Sequence, residues 1–276
     1  MTPALSAVFF DLGGTLFHHL PPEATIDNLR WALESAGVAP SDEAILTSYL
    51  SIRAELEQQY ADRRFFLHRD LVRDAARHFF DRFLESQAPA AARDHFPDAF
   101  YALQRSAVTE HLRPREEAAH VLQTLRAWGY FVAIVSNIDE DYLGPLLARE
   151  PDIAACDLVL SSEVTRSCNP DAVIFRTALR RAHRSPEEVL FVGDSWRNDV
   201  AGGSALGFRT AWLTTDQPPE RVAERARGAP DSSAPETARA ALAAALASAP
   251  AAAPTMPDLN LRSLAQLLPL LAPDQC

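Results

Sequence analysis

A chain of 276 residues, 47% apolar and 23% charged, is long enough for one large or two modest globular domains with a real core. Its net charge of −11 argues against a nucleic-acid partner, which needs a basic face, and no apolar run is long enough to span a membrane. All 26 cationic residues are Arg, which excludes Schiff-base chemistry from Lys and leaves Arg, backbone N–H groups or a metal to hold an anion.

The first predicted element is a buried strand, Ala7-Val8-Phe9-Phe10, running into Asp11 and the turn Leu12-Gly13-Gly14-Thr15-Leu16. Glycines there let the backbone turn sharply and a ligand come close. From 21 to 112 the pattern is helical. Ile26, Leu29, Leu33 and Ala36 share one face. Ile45, Tyr49, Ile52 and Leu56 share another, in a helix that Ser41 would cap. Leu67, Leu71, Ala75, Phe79 and Phe83 mark a third helix, and Phe96, Phe100, Leu103 and Ala107 a fourth. These aromatic stripes read as core.

From Pro114 helices and strands alternate. A helix from Pro114 ends at Gly129, and Tyr130 to Val135 is a second strand stopping at Ser136-Asn137. Asp139 to Arg149 is helical. Leu158 to Leu160 is a third strand, stopping at Ser161-Ser162, and Asp171 to His183 is helical. Val189 to Val192 is a fourth strand ending in Gly193-Asp194; a short helix around Asp199 to Leu206 and a strand at Thr210 to Leu213 follow. The expected fold is therefore α/β, a doubly wound parallel sheet with an inserted helical domain. Residues 1–20 and 113–216 form the core, 21–112 the insertion, 217–255 an Ala/Pro-rich linker with one helix near Pro235 to Ala247, and 256–276 a last core strand and helix. Cys156, Cys168 and Cys276 make no close-spaced pair and no signal-type segment opens the chain, which suits a reducing cytoplasm.

Strand ends of a parallel sheet share one edge, where ligands bind. That edge gathers Asp11, Ser136-Asn137, Ser161-Ser162 and Asp194, with Asp199 one helical turn on. Three carboxylates in one cleft repel one another unless a cation sits among them. A hard cation with oxygen ligands, most naturally Mg²⁺, resolves this and suits phosphate chemistry. Ser136 offers a hydroxyl donor, and the turn amides after Asp11 an anion nest.

Four segments carry a resemblance. Asp11-Leu12-Gly13-Gly14-Thr15-Leu16, Val135-Ser136-Asn137, Asn169-Pro170-Asp171-Ala172-Val173-Ile174-Phe175 and Gly193-Asp194-Ser195-Trp196-Arg197-Asn198-Asp199-Val200 resemble the four motifs of the haloacid dehalogenase-like (HAD) hydrolase superfamily, in its order and spacing. The insertion resembles its C1 type of cap, which closes over the site and selects substrate. The resemblance implies a Mg²⁺-dependent phosphatase of a small phosphorylated metabolite. Asp11 would be the nucleophile forming an aspartyl-phosphate. Gly14, Thr15, Ser136, Asn137 and Asn169 would bind the phosphoryl group, and Asp11, the Gly13 carbonyl, Asp194 and Asp199 the metal. It implies no oligomeric state.

Two positions depart from the pattern. Gly13 stands where the family's phosphatases usually carry a second Asp, the general acid and base. Asn169 stands where a Lys usually steadies the phosphoryl charge. The losses cancel in net charge but remove two catalytic roles. Arg166, His18, His19 and Cys168 are candidate replacements, each with a plainer reading as a loop, hinge or inert residue. The alternative is a degenerate family member that binds a ligand or partner without turnover. A haloacid dehalogenase fits less well, since those enzymes usually have Tyr at the position of Gly13 and keep the Lys.

Overall fold

The computed structural model describes residues 4–38, 43–84, 88, 90–216 and 256–273. The proposed Ser41 cap and the helix near Pro235 to Ala247 lie outside these residues. Two compact units are present: residues 1–18, 113–137 and 147–276, and residues 19–112 with 138–146.

The first unit is built on a parallel sheet of order β3-β2-β1-β4-β5-β6. Its strands are β1 (Ala7–Phe10), β2 (Phe131–Ser136), β3 (Leu158–Ser161), β4 (Val189–Gly193), β5 (Arg209–Leu213) and β6 (Leu259–Leu261). Every residue of β1 is buried, as a central strand covered on both faces must be. Ala7 lies opposite both Phe131 of β2 and Val189 of β4. Successive strands run one way from β1 to β3 and the other way from β4 to β6. The order therefore reverses between β1 and β4, which opens a crevice beyond their carboxyl ends.

The α-helices among the described residues, in order, are α1 (Pro22–Ser35), α2 (Glu43–Ala61), α3 (His68–Phe83), α4 (Ala90–Ser106), α5 (Ala118–Ala127), α6 (Glu140–Arg149), α7 (Pro151–Ala154), α8 (Ser162–Thr165), α9 (Ala172–Ala182), α10 (Gly202–Ser204) and α11 (Leu267–Leu271). Helix α9 buries Ile174, Phe175, Ala178 and Leu179 against Phe9, Val135, Leu160 and Phe191 of the sheet. Phe175 meets Phe191 and Phe208 edge to face, with centroids 5.3 and 5.5 Å apart, geometries favoured by the ring quadrupoles. The chain's return at 256–273 is tied to the sheet by Thr214 N–H donating to Leu261 O at 2.8 Å.

Three local features differ from the sequence pattern. The expected helix near Asp199 to Leu206 begins as a π-helical turn, Trp196–Ala201, because Asp199 folds back to accept the Ser195 N–H at 2.9 Å. Strand β3 continues directly into the one-turn α8, capped by Ser161 Oγ accepting from Val164 N–H at 3.1 Å. Asp171 caps α9 from outside rather than opening it.

In the second unit α3 packs against α2 and α4, and α1 against α4. Tyr49, fully buried, sits edge to face with Phe79 and Phe100 at 6.1 and 5.0 Å. The residues expected to share helical faces, apart from Ala36, Leu67 and Ala107, thus make a core of their own. Residues 138–146 join this unit through Asp139. Leu67 offers α3 no side-chain cap, so the His68 and Arg69 N–H groups donate to Asp139 at 2.9 and 2.8 Å. Burial alone would push the Asp139 carboxyl up. The His68 side chain, 3.7 Å away, and the hydrogen bonds from the two backbone amides outweigh it, holding Asp139 below the usual carboxylate range.

Among the described residues no helix is long and apolar enough to cross a membrane. Replacing Asp139 by Ala should lower stability in urea unfolding by about 2 kcal/mol at pH 7, the upper end for a lost cap. Because the folded Asp139 is the stronger acid, its contribution is present above the unfolded carboxylate pKa. The difference between wild type and variant should therefore shrink as pH falls below about 4.

Candidate active site

Asp11 leaves β1 at the reversal of strand order, its N–H held by Val192 O of β4 at 2.9 Å. Both carboxylate oxygens are engaged from the chain: Ser136 Oγ at the end of β2 donates to one at 2.8 Å, and Thr15 Oγ1 reaches the other at 3.4 Å. The following loop closes on itself through Leu16 and Phe17 N–H groups donating to Leu12 O, both at 2.9 Å. Of its two glycines only Gly14 needs to be one, with φ +78°. A Cβ on Gly13 would meet nothing within 4 Å. Gly14 spends its N–H on Phe17 O at 2.7 Å, so it shapes the loop. The N–H groups of Leu12, Gly13 and Thr15 have no acceptor among the described residues.

The second half of the site follows β4. Asp194 is placed by its carbonyl, which accepts Trp212 Nε1 at 2.9 Å, while Trp196 stacks edge to face on Trp212 at 4.9 Å. Asp199 is buried, and only a glycine at 193 leaves it room: a Cβ there would lie 2.2 Å from its Oδ2. One oxygen each of Asp11, Asp194 and Asp199 lie within 4.8 Å of one another. Burial, and then the charges of Asp11 and Asp194, push the Asp199 carboxyl well above its ordinary range. The bonds from Ser195 N–H and the Asn169 side chain only partly offset this. Such a group of oxygens fits a hard divalent cation, whose charge would lift the repulsion.

Asn137 and Asn169 act as a pair. Asn169 N–H donates to Asn137 Oδ1 at 2.6 Å, and Asn137 Nδ2 returns a bond to Asn169 O at 3.0 Å. Asn137 thereby clips the loop before α9 to the end of β2. Asn169 is buried and bonded to Asp199, and its Oδ1 has no partner. Of the other candidates, Cys168 is buried beside it and Arg166 is exposed at the end of α8 with φ +50°. His18 is half exposed, its Nδ1 3.9 Å from Asp216, and His19 is exposed.

Sequence reasoning missed Arg115. It is buried, and it donates to Thr15 O at 3.0 Å and Gly14 O at 2.7 Å from beneath the Asp11 loop. A signal was available: a cation just before α5 sits at the end of the helix that disfavours positive charge, so it needs another partner.

Known proteins resemble this chain in sequence and in fold. Ribulose-1,5-bisphosphate 5-phosphatase of Halopiger xanaduensis is 28% identical over 240 residues, covering 83% of this chain and 93% of that protein. The HAD-hydrolase YfnB of Bacillus subtilis, in a magnesium-bound crystal form, superposes with a TM-score of 0.68 at 16% identity, covering 98% and 99% of the two chains. L-2-haloacid dehalogenase of Xanthobacter autotrophicus superposes with a TM-score of 0.61 at 24% identity, covering 99% and 100%. These two structures speak for the fold. Residues 5–207, spanning all four strand-end segments, match the haloacid dehalogenase-like hydrolases, and this chain belongs to that family of hydrolases.

Proposed function

We propose that the protein is a Mg²⁺-dependent phosphatase of small phosphorylated metabolites, with Asp11 as nucleophile. The observation that carries this reading is the meeting of three carboxylates with Ser136, beside a loop whose Leu12, Gly13 and Thr15 N–H groups have no acceptor among the described residues. The activity for which the Halopiger relative is named supports it.

Asp11, Asp194 and Asp199, with the Gly13 carbonyl, would hold the ion. When bound, it offsets charge on the phosphoryl group and lets the carboxylates coexist. An oxygen of Asp11 attacks phosphorus, forming a new P–O bond as the bond to the ester oxygen breaks. Ser136 Oγ and the N–H groups of Leu12, Gly13 and Thr15 donate to the phosphoryl oxygens, so charge that develops there meets dipoles already in place. The departing alkoxide takes its proton from water, because Gly13 carries no acid. Water then attacks the phosphorus of the aspartyl-phosphate, releasing phosphate and restoring the Asp11 carboxylate.

Gly13 and Asn169 favour a second reading, a member of the family that binds without turnover. A panel of phosphorylated metabolites assayed with and without Mg²⁺ separates the two. Under the phosphatase reading turnover requires Mg²⁺, and Asp11→Asn brings it to background. An inert wild type with an active Gly13→Asp/Asn169→Lys variant would establish the binding reading instead.

With no acid at Gly13, rates across a series of aryl and alkyl phosphates should fall steeply as the leaving group becomes more basic. A Cβ at Gly13 meets nothing within 4 Å, and Gly13→Asp should raise turnover of alkyl phosphates by about 10²-fold, the lower end for general acid help, and flatten that slope. In differential scanning calorimetry, Mg²⁺ at about 100 times its dissociation constant should stabilise the wild type by ~2.7 kcal/mol, and Asp194→Asn should abolish the shift.

A further inference from the structure

The mechanism above leaves one buried cation unused. The Arg115 side chain is only 4% exposed. Its Nε donates to Thr15 O and its Nη2 to Gly14 O, and its backbone N–H donates to Leu16 O at 2.8 Å. Nη2 also bonds the Asp216 carboxylate. A guanidinium is buried at a cost unless its partners satisfy it, and here those partners are the carbonyls of the loop that carries Asp11.

The Gly14 carbonyl belongs to the same peptide unit as the Thr15 N–H. That unit is trans, so its N–H points away from Arg115. The Thr15 N–H is one of the three without an acceptor, and the Thr15 hydroxyl reaches Asp11. A donor bonded to a carbonyl oxygen polarises the whole peptide and strengthens its N–H as a donor. We propose that Arg115 is a positioning residue that, through the Gly14–Thr15 peptide, supplies the phosphoryl group with positive potential that the neutral Asn169 does not. Asp216, 3.9 Å from His18 Nδ1 and bonded to Arg115, tempers that charge.

This inference rests on the phosphatase reading, and the experiment separates the two. Inorganic phosphate is titrated calorimetrically into the Mg²⁺-loaded protein, and KM and kcat for p-nitrophenyl phosphate are measured alongside. Arg115→Gln should weaken phosphate binding about tenfold and raise KM, whereas Arg115→Lys, which keeps the charge, should stay within about threefold of wild type. Asp216→Asn leaves both carbonyl bonds in place and should bind phosphate as tightly as wild type or tighter. Equal affinities for the Lys and Gln variants would reduce Arg115 to a hydrogen-bonding strut and overturn the proposal, as would weaker binding by Asp216→Asn. If Arg115→Gln does not fold, the Asp216→Asn result decides alone. A wild type that binds no phosphate would instead sink the phosphatase reading and take this proposal with it.

Discussion

Three carboxylates held within a few ångströms of one another, one of them fully buried, are an unfavourable arrangement that the rest of the first unit exists to maintain. Left in water they would separate. They stay together because each is anchored through the backbone or a short turn: Asp11 by the Val192 carbonyl, Asp194 by Trp212, and Asp199 by the Ser195 amide. The parallel order that reverses between β1 and β4 brings these anchors to one edge. Gly193 is the steric condition for the whole cluster, since any side chain there would occupy the space of the Asp199 carboxylate.

Beside this negative centre the chain places hydrogen-bond donors. Ser136 donates to Asp11, and the N–H groups of Leu12, Gly13 and Thr15 in the loop that follows have no acceptor among the described residues. Arg115 lies behind the loop, bonded to carbonyls. Asn137 holds the Asn169 loop by both ends of its amide, leaving the Asn169 side chain on Asp199. Preorganised dipoles of this kind need no reorganisation when charge develops on a bound anion. They also suit a chain without Lys, in which charge at the site must come from elsewhere.

The second unit depends on a different balance. Its helices are held by aromatic contacts centred on Tyr49, and α3 begins without a cap of its own. Asp139 supplies that cap, only three residues beyond Ser136 in the chain. One short stretch of sequence thus ends a strand bearing a hydroxyl donor and begins the anchoring of a helical core.

The periodicity of apolar residues was enough to read the strands, the helices and the α/β class, because burial imposes a period of two or near 3.6 on any chain that folds this way. The strand-end residues Asp11, Ser136 and Asp194 were legible for the same reason: an apolar run that stops at a polar residue marks where the sheet edge lies. The sequence could not show that Gly13 is free to carry a side chain while Gly14 is not, since both read as turn glycines. Nor could it show that Asn137 binds the neighbouring loop, that residues 138–146 join the helical unit, or that Arg115 reaches back 100 positions to the Asp11 loop. Those facts depend on which groups the folded chain leaves unsatisfied at a given point in space. Local sequence sets conformation and burial; only tertiary packing decides which distant carbonyl a buried guanidinium must find.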